Sequence, residues 1–290
     1  MLKVFALFLV LFVAACTPKE DTTIDTGNGT IDLNDKVNFP DPVLRACVET
    51  LTGKNPGDPI YGYDVADITK VQCDGVSNIS GMEYFVQVEL AQFFKSNIGT
   101  LKSLAGLENI KYLWIRGGGS VTTLDEIKNL KSLLGLEYQQ SQLNDISAIS
   151  NMTSLKTVDL RENKLTNISA LSSLPNIETI RVINTPTLTT LGVQFTAPKL
   201  TEINVGNCGL TSLNELSGLP ELTTIIAGDN YLTDVSFITI LPKLDGIGID
   251  GNCLSENAMQ TYVDWYNARH ETQKTVAEEM QYQNPDNKCQ

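Results

Sequence analysis

The sequence predicts an α/β solenoid, in which one coil repeats along an axis and the strands of successive coils form a parallel sheet on a concave face. Three observations predict it. Apolar residues recur with a period of 22 or 23 residues, the ninth position of the period holds a small or polar residue in each copy, and cysteines bracket both ends of the array. The ends of such a stack must be covered, so a cap is expected at each end.

The first residues have the pattern of an export signal. An apolar run from Val4 to Ala15 follows Lys3, and it is too short to span a bilayer as a helix, which needs about 20 residues. Residues 1–15 are therefore predicted to be a signal peptide. The stretch VAAC, which ends at Cys16, resembles the bacterial lipobox, and this resemblance implies that Cys16 is lipidated and becomes the mature N-terminus. A signal followed by a plain cysteine is the alternative.

Residues 16–37 are predicted to form a flexible tether. The stretch TPKEDTTIDTGNGTIDLNDK has few large apolar side chains and many Thr, Asp and Gly residues, so it is not expected to bury a core. Acidic residues soon after Cys16 resemble the surface-export signals of Bacteroidetes lipoproteins. This resemblance implies a lipid-anchored protein of the outer membrane or cell surface.

The charge balance excludes one class of partner. The chain carries 21 Lys and Arg against 34 Asp and Glu, a net charge of −13. A phosphate backbone would be repelled by such a surface, so binding to nucleic acid is not expected.

The repeat is clearest in LKTVDLRENKLTNISALSSLPN, residues 155–176. Apolar residues stand at positions 1, 4, 6, 11, 14, 17 and 20, and Asn163 stands at position 9. Copies of the template begin at Val88, Ile110, Leu133, Leu155, Ile177, Leu200, Leu222 and Leu244. A shorter, irregular unit from Ile68 to Gln87 precedes them, so residues 68–254 form the predicted array. No coil can bury its leucines alone, and stacking supplies the missing apolar contacts.

This spacing, L-x-x-L-x-L-x-x-N/C-x-L, resembles the leucine-rich repeat, and its 22-residue form resembles the internalin family of bacterial surface proteins. The resemblance implies a right-handed coil, a helical cap before the repeats and a binding role. It covers essentially the whole chain after the tether and does not specify a partner.

Each predicted cap contains a helix. In the front cap, residues 38–67, Asp41 is expected to cap a helix whose first residue is Pro42. One apolar face of this helix is expected to contain Val43, Leu44, Cys47, Val48 and Leu51. In the back cap, residues 255–290, Ser255 is a predicted N-cap and the following stretch as far as Gln283 reads as helix.

Five cysteines remain once Cys16 is set aside, and an exported protein keeps disulfides. Pairs Cys47–Cys73 and Cys253–Cys289 are predicted, because each pair brackets one end of the array. The remaining cysteine, Cys208, stands at position 9, where cysteine replaces asparagine in the repeat. It is therefore predicted to be a buried structural thiol.

The phase of the repeat interprets the stretch YLWIRGGGSVTTL, residues 112–124. Leu113 and Ile115 hold inward positions, so the alternate side chains of that strand face the concave surface, and the three glycines fall in the turn. Neither a lysine nor a long helix follows them, which argues against a phosphate-binding loop. Exposed aromatic rings beside arginine and carboxylate groups are typical of binding hot spots. The predicted contact residues are Leu90, Phe94, Tyr112, Trp114, Arg116, Glu137, Asp159, Arg161 and Arg181. In the alternative interpretation, the front cap or the tether folds over these rings.

The sequence offers few parts for catalysis, and no cofactor or metal is expected. His270 is the only histidine and is predicted to be solvated on a helix, and the cysteines lack the paired spacing of zinc sites. Glu137 and Asp159 stand on adjacent coils, at a separation of about 5 Å that would suit the two carboxylates of a glycosidase. Arg161 and Arg181 are expected close enough to pair with both, so a charge ladder is the preferred interpretation and the chain is predicted not to be an enzyme.

The leading functional hypothesis is a membrane-anchored module that recognises a protein, of a host or of the envelope, through its concave face. The alternative is capture of a surface glycan, with Tyr112 and Trp114 stacking against sugar rings. A purely structural component of the envelope is the third possibility.

Overall fold

The computed structural model describes residues 22–26, 29–270, 273–283 and 289. The predicted signal peptide and Cys16 lie outside the described residues. The strands are β1 Thr23–Asp25, β2 Thr30–Asp32, β3 Lys70–Gln72, β4 Leu90–Phe94, β5 Tyr112–Arg116, β6 Gly135–Gln139, β7 Thr157–Asp159, β8 Thr179–Arg181, β9 Glu202–Asn204, β10 Thr224–Ile226 and β11 Gly246–Gly248. The α-helices are α1 Pro42–Thr52, α2 Gly62–Val65, α3 Glu256–Asn267 and α4 Val276–Met280.

The repeat array forms the predicted solenoid. Strands β3 to β11 lie in chain order in one parallel sheet, and each coil returns along the outer side through a loop that in most coils contains a short 3₁₀ turn. These turns span Met82–Tyr84, Lys102–Leu104, Asp125–Ile127, Ser147–Asn151, Ser169–Leu171, Asn214–Leu216 and Ser236–Ile240. The template leucines, such as Leu155, Leu165 and Leu171, are fully buried in one continuous core. The prediction of fold class is confirmed.

A left-handed residue ends each strand segment and turns the chain. The eighth position of the coil has positive φ whether or not it is glycine, at Lys95, Gly117, Gln140, Glu162, Asn184, Asn207, Asp229 and Gly251. Six of these residues carry side chains, for which the left-handed region is unfavourable. Hydrogen bonds to the adjacent coil hold them there, as when Glu162 N donates to Ile183 O at 2.8 Å.

The ninth position forms the expected buried ladder. Asn230 Nδ2 donates to Val205 O (2.9 Å) and Ala227 O (3.1 Å), and its Oδ1 accepts from Leu210 N (3.0 Å). Asn163, three coils before it, and Asn252, one coil after it, make the equivalent bonds. Each asparagine therefore satisfies backbone groups that the turn leaves without partners.

Cys208 takes the place of asparagine in this ladder, as predicted. Its side chain is buried at 4% exposure, and Sγ lies 3.2 Å from Val182 O. Burial raises the pKa of the thiol to about 11. A thiolate is the reactive form, so the structure makes this cysteine inert.

Cys208 is accordingly expected to resist alkylation by iodoacetamide at pH 8 in the folded chain and to react once the chain is unfolded in guanidinium chloride. Mass spectrometry counts the modified cysteines in both states. The Cys208→Ala variant controls for the other thiols. Rapid modification of Cys208 under native conditions would contradict its burial.

Part of the predicted tether is folded. Strands β1 and β2 pair antiparallel, and the following residues join the front cap through bonds from Tyr63 N to Leu33 O (2.8 Å) and from Gly62 N to Asp35 O (3.0 Å). The Thr26 carbonyl lies against the outer side of the first full coil, since a Cβ added to Gly106 would clash with that oxygen. The predicted tether was to extend to residue 37, whereas the structure is folded from β1 onward. The signal was present in the sequence as two Thr-Ile-Asp triplets on either side of an Asn-Gly pair, a hairpin pattern.

The front cap joins α1 to the array through one carboxylate. Asp41 Oδ1 accepts from Val43 N and Leu44 N at 2.9 and 3.0 Å, which confirms the predicted N-cap. Its Oδ2 accepts from Ser77 N, Ser77 Oγ and Asn78 N at 2.7 to 3.0 Å. The disulfide Cys47–Cys73 adds a covalent link, as predicted.

The apolar face of α1 is narrower than predicted. Leu44 and Val48 are fully buried and Cys47 is partly buried, but Val43 is 44% exposed and Leu51 is 41% exposed. A single helix that covers the narrow end of a stack contacts it along one line of side chains, so the residues beside that line remain in solvent.

The back cap is two helices rather than one. Ser255 Oγ accepts from Ala258 N, which confirms the N-cap of α3, but α3 ends at Asn267. The Asn267 side chain then bonds both the N–H and the carbonyl of Lys274 at 2.9 Å, and Thr275 begins α4 with a capping box to Glu278. These local bonds compete with helix continuation. The disulfide Cys253–Cys289 is formed as predicted.

His270 lies after α3, not on it, and is only partly solvated. Its ring lies 4.3 Å from the Tyr266 ring, and Nε2 is 3.0 Å from Asp245 O. The prediction that His270 lies on the helix is therefore wrong, and its side chain is partly rather than fully solvated. Among the described helices, none has the length and apolar character to cross a membrane.

Candidate functional site

The register of the sheet brings the predicted contact residues side by side. In β4 and β5, Leu90 is the partner of Tyr112, and Phe94 is the partner of Arg116. Trp114 of β5 is the partner of Glu137 in β6. Neighbouring strands lie about 4.8 Å apart, so these side chains form one surface on the concave side. We call Leu90, Phe94, Tyr112 and Trp114 the aromatic patch.

The rings of the aromatic patch remain accessible. Tyr112 is 39% exposed, and its ring centroid lies 5.9 Å from that of Trp114 at a tilt of 53°. Gly135 makes room for the Tyr112 ring, because a Cβ on Gly135 would lie 2.9 Å from Tyr112 Cδ1. Phe94 is half-buried, and the Arg116 guanidinium lies 4.2 Å above its ring. Such stacking is a cation–π contact.

The alternative that the chain itself covers these rings finds little support in the described leading residues. Residues 22–26 and 29–37 contact the front cap and the outer side at Gly62 and Gly106, away from the concave strands. Trp114 and Phe94 owe their partial burial to neighbouring side chains of the sheet.

Ion pairs occupy the middle of the concave surface. Arg116 Nε bonds Glu137, Arg161 bonds Asp159 through Nε (3.0 Å) and Nη2 (2.5 Å), and Arg181 Nη2 bonds Glu202 (2.7 Å). The hydrogen bond to Glu137 raises the pKa of Arg116, and the bond to Asp159 raises that of Arg161. Each arginine thus has a carboxylate of its own.

The pair of Arg161 with Asp159 agrees with the expectation, and the other two pairs differ from it. Arg161 and Arg181 were expected to pair with both Glu137 and Asp159, but Glu137 bonds Arg116, and Arg181 turns to Glu202 on the next coil. Glu137 and Asp159, the two carboxylates considered for a glycosidase, are thus each bonded to an arginine. The geometry therefore supplies a charged, polar surface.

Two residues of this surface were not among the predicted contacts. Glu202 completes the pair with Arg181, and Gln139 follows Glu137 on β6. Gln139 is only 7% exposed although it stands at an outward position, and no described residue forms a hydrogen bond with its Nε2. The repeat predicts that both side chains point outward, but their contacts depend on the side-chain conformations of neighbouring coils.

Metal ligation is not suggested by the described part of the chain, in which no three His, Cys, Asp or Glu side chains converge. The carboxylates Glu137, Asp159 and Glu202 of the sheet are instead each paired with an arginine.

No family model matches the sequence, and no curated protein matches it. Among solved structures, internalin C2 from Listeria monocytogenes is similar over 75% of this chain and 87% of its own, with 28% sequence identity and a TM-score of 0.57. The chain is an internalin-like leucine-rich repeat protein. Its helical front cap and 22-residue coils agree with this assignment.

Two further solved structures resemble the internalin-like chain in fold. The LRIM1/APL1C complex is similar over 67% of this chain and 37% of its own, with 15% identity and a TM-score of 0.57. A plant peptide hormone receptor, RGFR1 in complex with RGF2, is similar over the same shares, with 14% identity and a TM-score of 0.50. At these identities the likeness concerns the leucine-rich repeat architecture alone.

Proposed function

We propose that the chain is a non-catalytic, lipid-anchored protein of the bacterial cell envelope that binds a protein partner through its concave face. The observation that carries the proposal is the aromatic patch, in which Tyr112, Trp114 and Phe94 stand on adjacent strands with Tyr112 39% exposed. Aromatic and arginine side chains dominate the energetics of protein interfaces. The structurally similar proteins include one receptor in complex with RGF2 and one LRIM1/APL1C complex, which is consistent with recognition of proteins.

The anchor belongs to the same proposal. Lipidation of Cys16 would hold the protein at a membrane, and the acidic stretch after it favours the outer membrane or cell surface. The Cys16→Ser variant is expected to leave the membrane fraction, whereas the unchanged chain stays in it. Protease treatment of intact cells then separates display outside the cell from a periplasmic location.

The binding test uses the full chain in detergent. It isolates a co-purifying protein, identifies it, and measures its dissociation constant with the purified partner. Trp114→Ala is expected to weaken binding by at least about tenfold, as loss of a hot-spot residue does. Tyr63→Ala, an exposed aromatic of the front cap, is the matched control and is expected to change nothing. Equal affinities for Trp114→Ala and the unchanged chain would exclude the aromatic patch, provided that both unfold at the same temperature.

A glycan is the second candidate, because the tilted Tyr112 and Trp114 rings could stack against a sugar. Incubation of the full chain with a glycan array separates the two ligands. A saccharide signal that disappears in Trp114→Ala would favour the glycan, and its absence together with a defined protein partner would favour the leading proposal.

A further inference from the structure

The seventh positions of successive coils form a row across the sheet beside the aromatic patch. Phe94 and Arg116 are register partners, as are Arg116 and Gln139, and the bond from Gln140 N to Arg161 O (3.2 Å) carries the row to the next coil. We call Arg116, Gln139 and Arg161 row seven. Each member offers N–H donors, and none is acidic.

Both arginines of row seven keep unused donors. Arg116 donates to Glu137 through Nε alone, and within the described residues its two Nη atoms make no hydrogen bond. Arg161 uses Nε and Nη2 for Asp159, which leaves Nη1. Guanidinium groups can hold two carboxylates at once, because each has five N–H donors in a planar fork. The existing ion pairs orient these groups and do not saturate them.

Gln139 lies between the two arginines and is the unusual member. A buried amide normally has a hydrogen-bond partner, because an unsatisfied polar group loses the bonds that it made to water. Only 7% of the Gln139 surface is exposed, and its Nε2 has no hydrogen-bond partner among the described residues. That atom is covered by its neighbours, so it does not itself face a ligand, and Gln139 acts as the uncharged spacer between the two arginines.

Building on the proposed function, we infer that row seven binds a carboxylate side chain of the protein partner. Arg116 and Arg161 supply charge-assisted donors from either side, and a neighbouring apolar side chain of the partner packs on the aromatic patch. Arg116 and Arg161 stand two coils, or about 9.6 Å, apart, a distance from which two long guanidinium side chains can converge on one carboxylate. The partner segment therefore carries an acidic residue close to an aromatic or aliphatic one.

The test is a selection of random twelve-residue peptides, displayed on phage, against the full chain in detergent. Binders that are lost with Trp114→Ala are expected to share an Asp or Glu at a constant distance from an apolar residue. A synthetic binder and its amide version, with Asn or Gln in place of the acid, are then titrated against the variants. Arg116→Gln is expected to lower the affinity for the acidic peptide by at least about tenfold. Its affinity for the amide peptide should stay within about twofold of that of the unchanged chain.

Lys243→Gln is the matched charge control, because Lys243 forms an exposed ion pair with Glu221 outside the concave face and should not affect either peptide. Unfolding curves of each variant separate loss of contact from loss of structure.

Three results would overturn the inference. Peptides that need Trp114 but lack acidic residues and ignore Arg116→Gln would reject row seven while leaving the proposed function intact. Peptides enriched in Lys or Arg would assign the contact to Glu137 and Asp159 instead. A library without any Trp114-dependent binder would count against both the inference and the protein-binding proposal.

Discussion

Replacing Asp41 with alanine is expected to lower the free energy of unfolding by about 3 kcal/mol at pH 7. The change removes the cap of α1 and also leaves the Ser77 and Asn78 donors without their acceptor, in a site where Asp41 is only 4% exposed. Denaturant unfolding measures the difference. Ser255→Ala is the matched control, since Ser255 caps α3 through one bond, and it should cost about 1 kcal/mol.

The same residue predicts a dependence on pH. Burial raises the pKa of Asp41, but hydrogen bonds from Leu44, Ser77 and Asn78 outweigh it and lower the pKa from 3.8 to about 2. A folded-state pKa below the unfolded one stabilises the fold above pH 4, by about 2 kcal/mol, and this stabilisation disappears as the pH falls to about 2. The difference between the unchanged chain and Asp41→Ala should therefore shrink over that interval. Parallel pH profiles would show that Asp41 is not ionised in this network.

Replacing Asn230 with alanine is expected to cost about 3 kcal/mol, because it leaves the Val205 carbonyl and the Leu210 N–H buried without partners and opens a cavity between two coils. Cys208→Ala at the equivalent position should cost only about 1 kcal/mol, since a thiol is a weak hydrogen-bond donor and a small apolar group. Thermal and denaturant unfolding of both variants give the comparison. Equal losses would mean that the ladder stabilises by volume alone.

The sequence predicts the array well because its determinant is periodic. A leucine such as Leu155 is buried in every coil for the same reason, and position 9 follows from the same count. Helix caps were also readable, because Asp41 and Ser255 act through local backbone geometry. The hairpin of β1 and β2 lies outside this periodicity, and its strands of three residues each stand in a stretch whose polar composition is typical of a flexible tether.

The candidate site was predictable in position and less so in contacts. Phase placed Tyr112 and Trp114 on the outward side of β5. The repeat does not predict which carboxylate pairs with Arg116, Arg161 or Arg181, because a long side chain can reach an acid on its own strand or on either neighbouring strand. The break between α3 and α4 was hidden for a similar reason, since it depends on what the Asn267 side chain bonds.

Gly118 marks the part of the solenoid where we expect local opening to be easiest. A stack of coils ordinarily frays at its ends, because each coil is supported only by its neighbours. Here Cys47–Cys73 and Cys253–Cys289 fasten both extremities, whereas the coil that begins at Ile110 has no ninth side chain to brace its turn. Amide hydrogen exchange is therefore expected to be faster in residues 117–120 than in the other turns, and a ligand seated beside Trp114 should slow it.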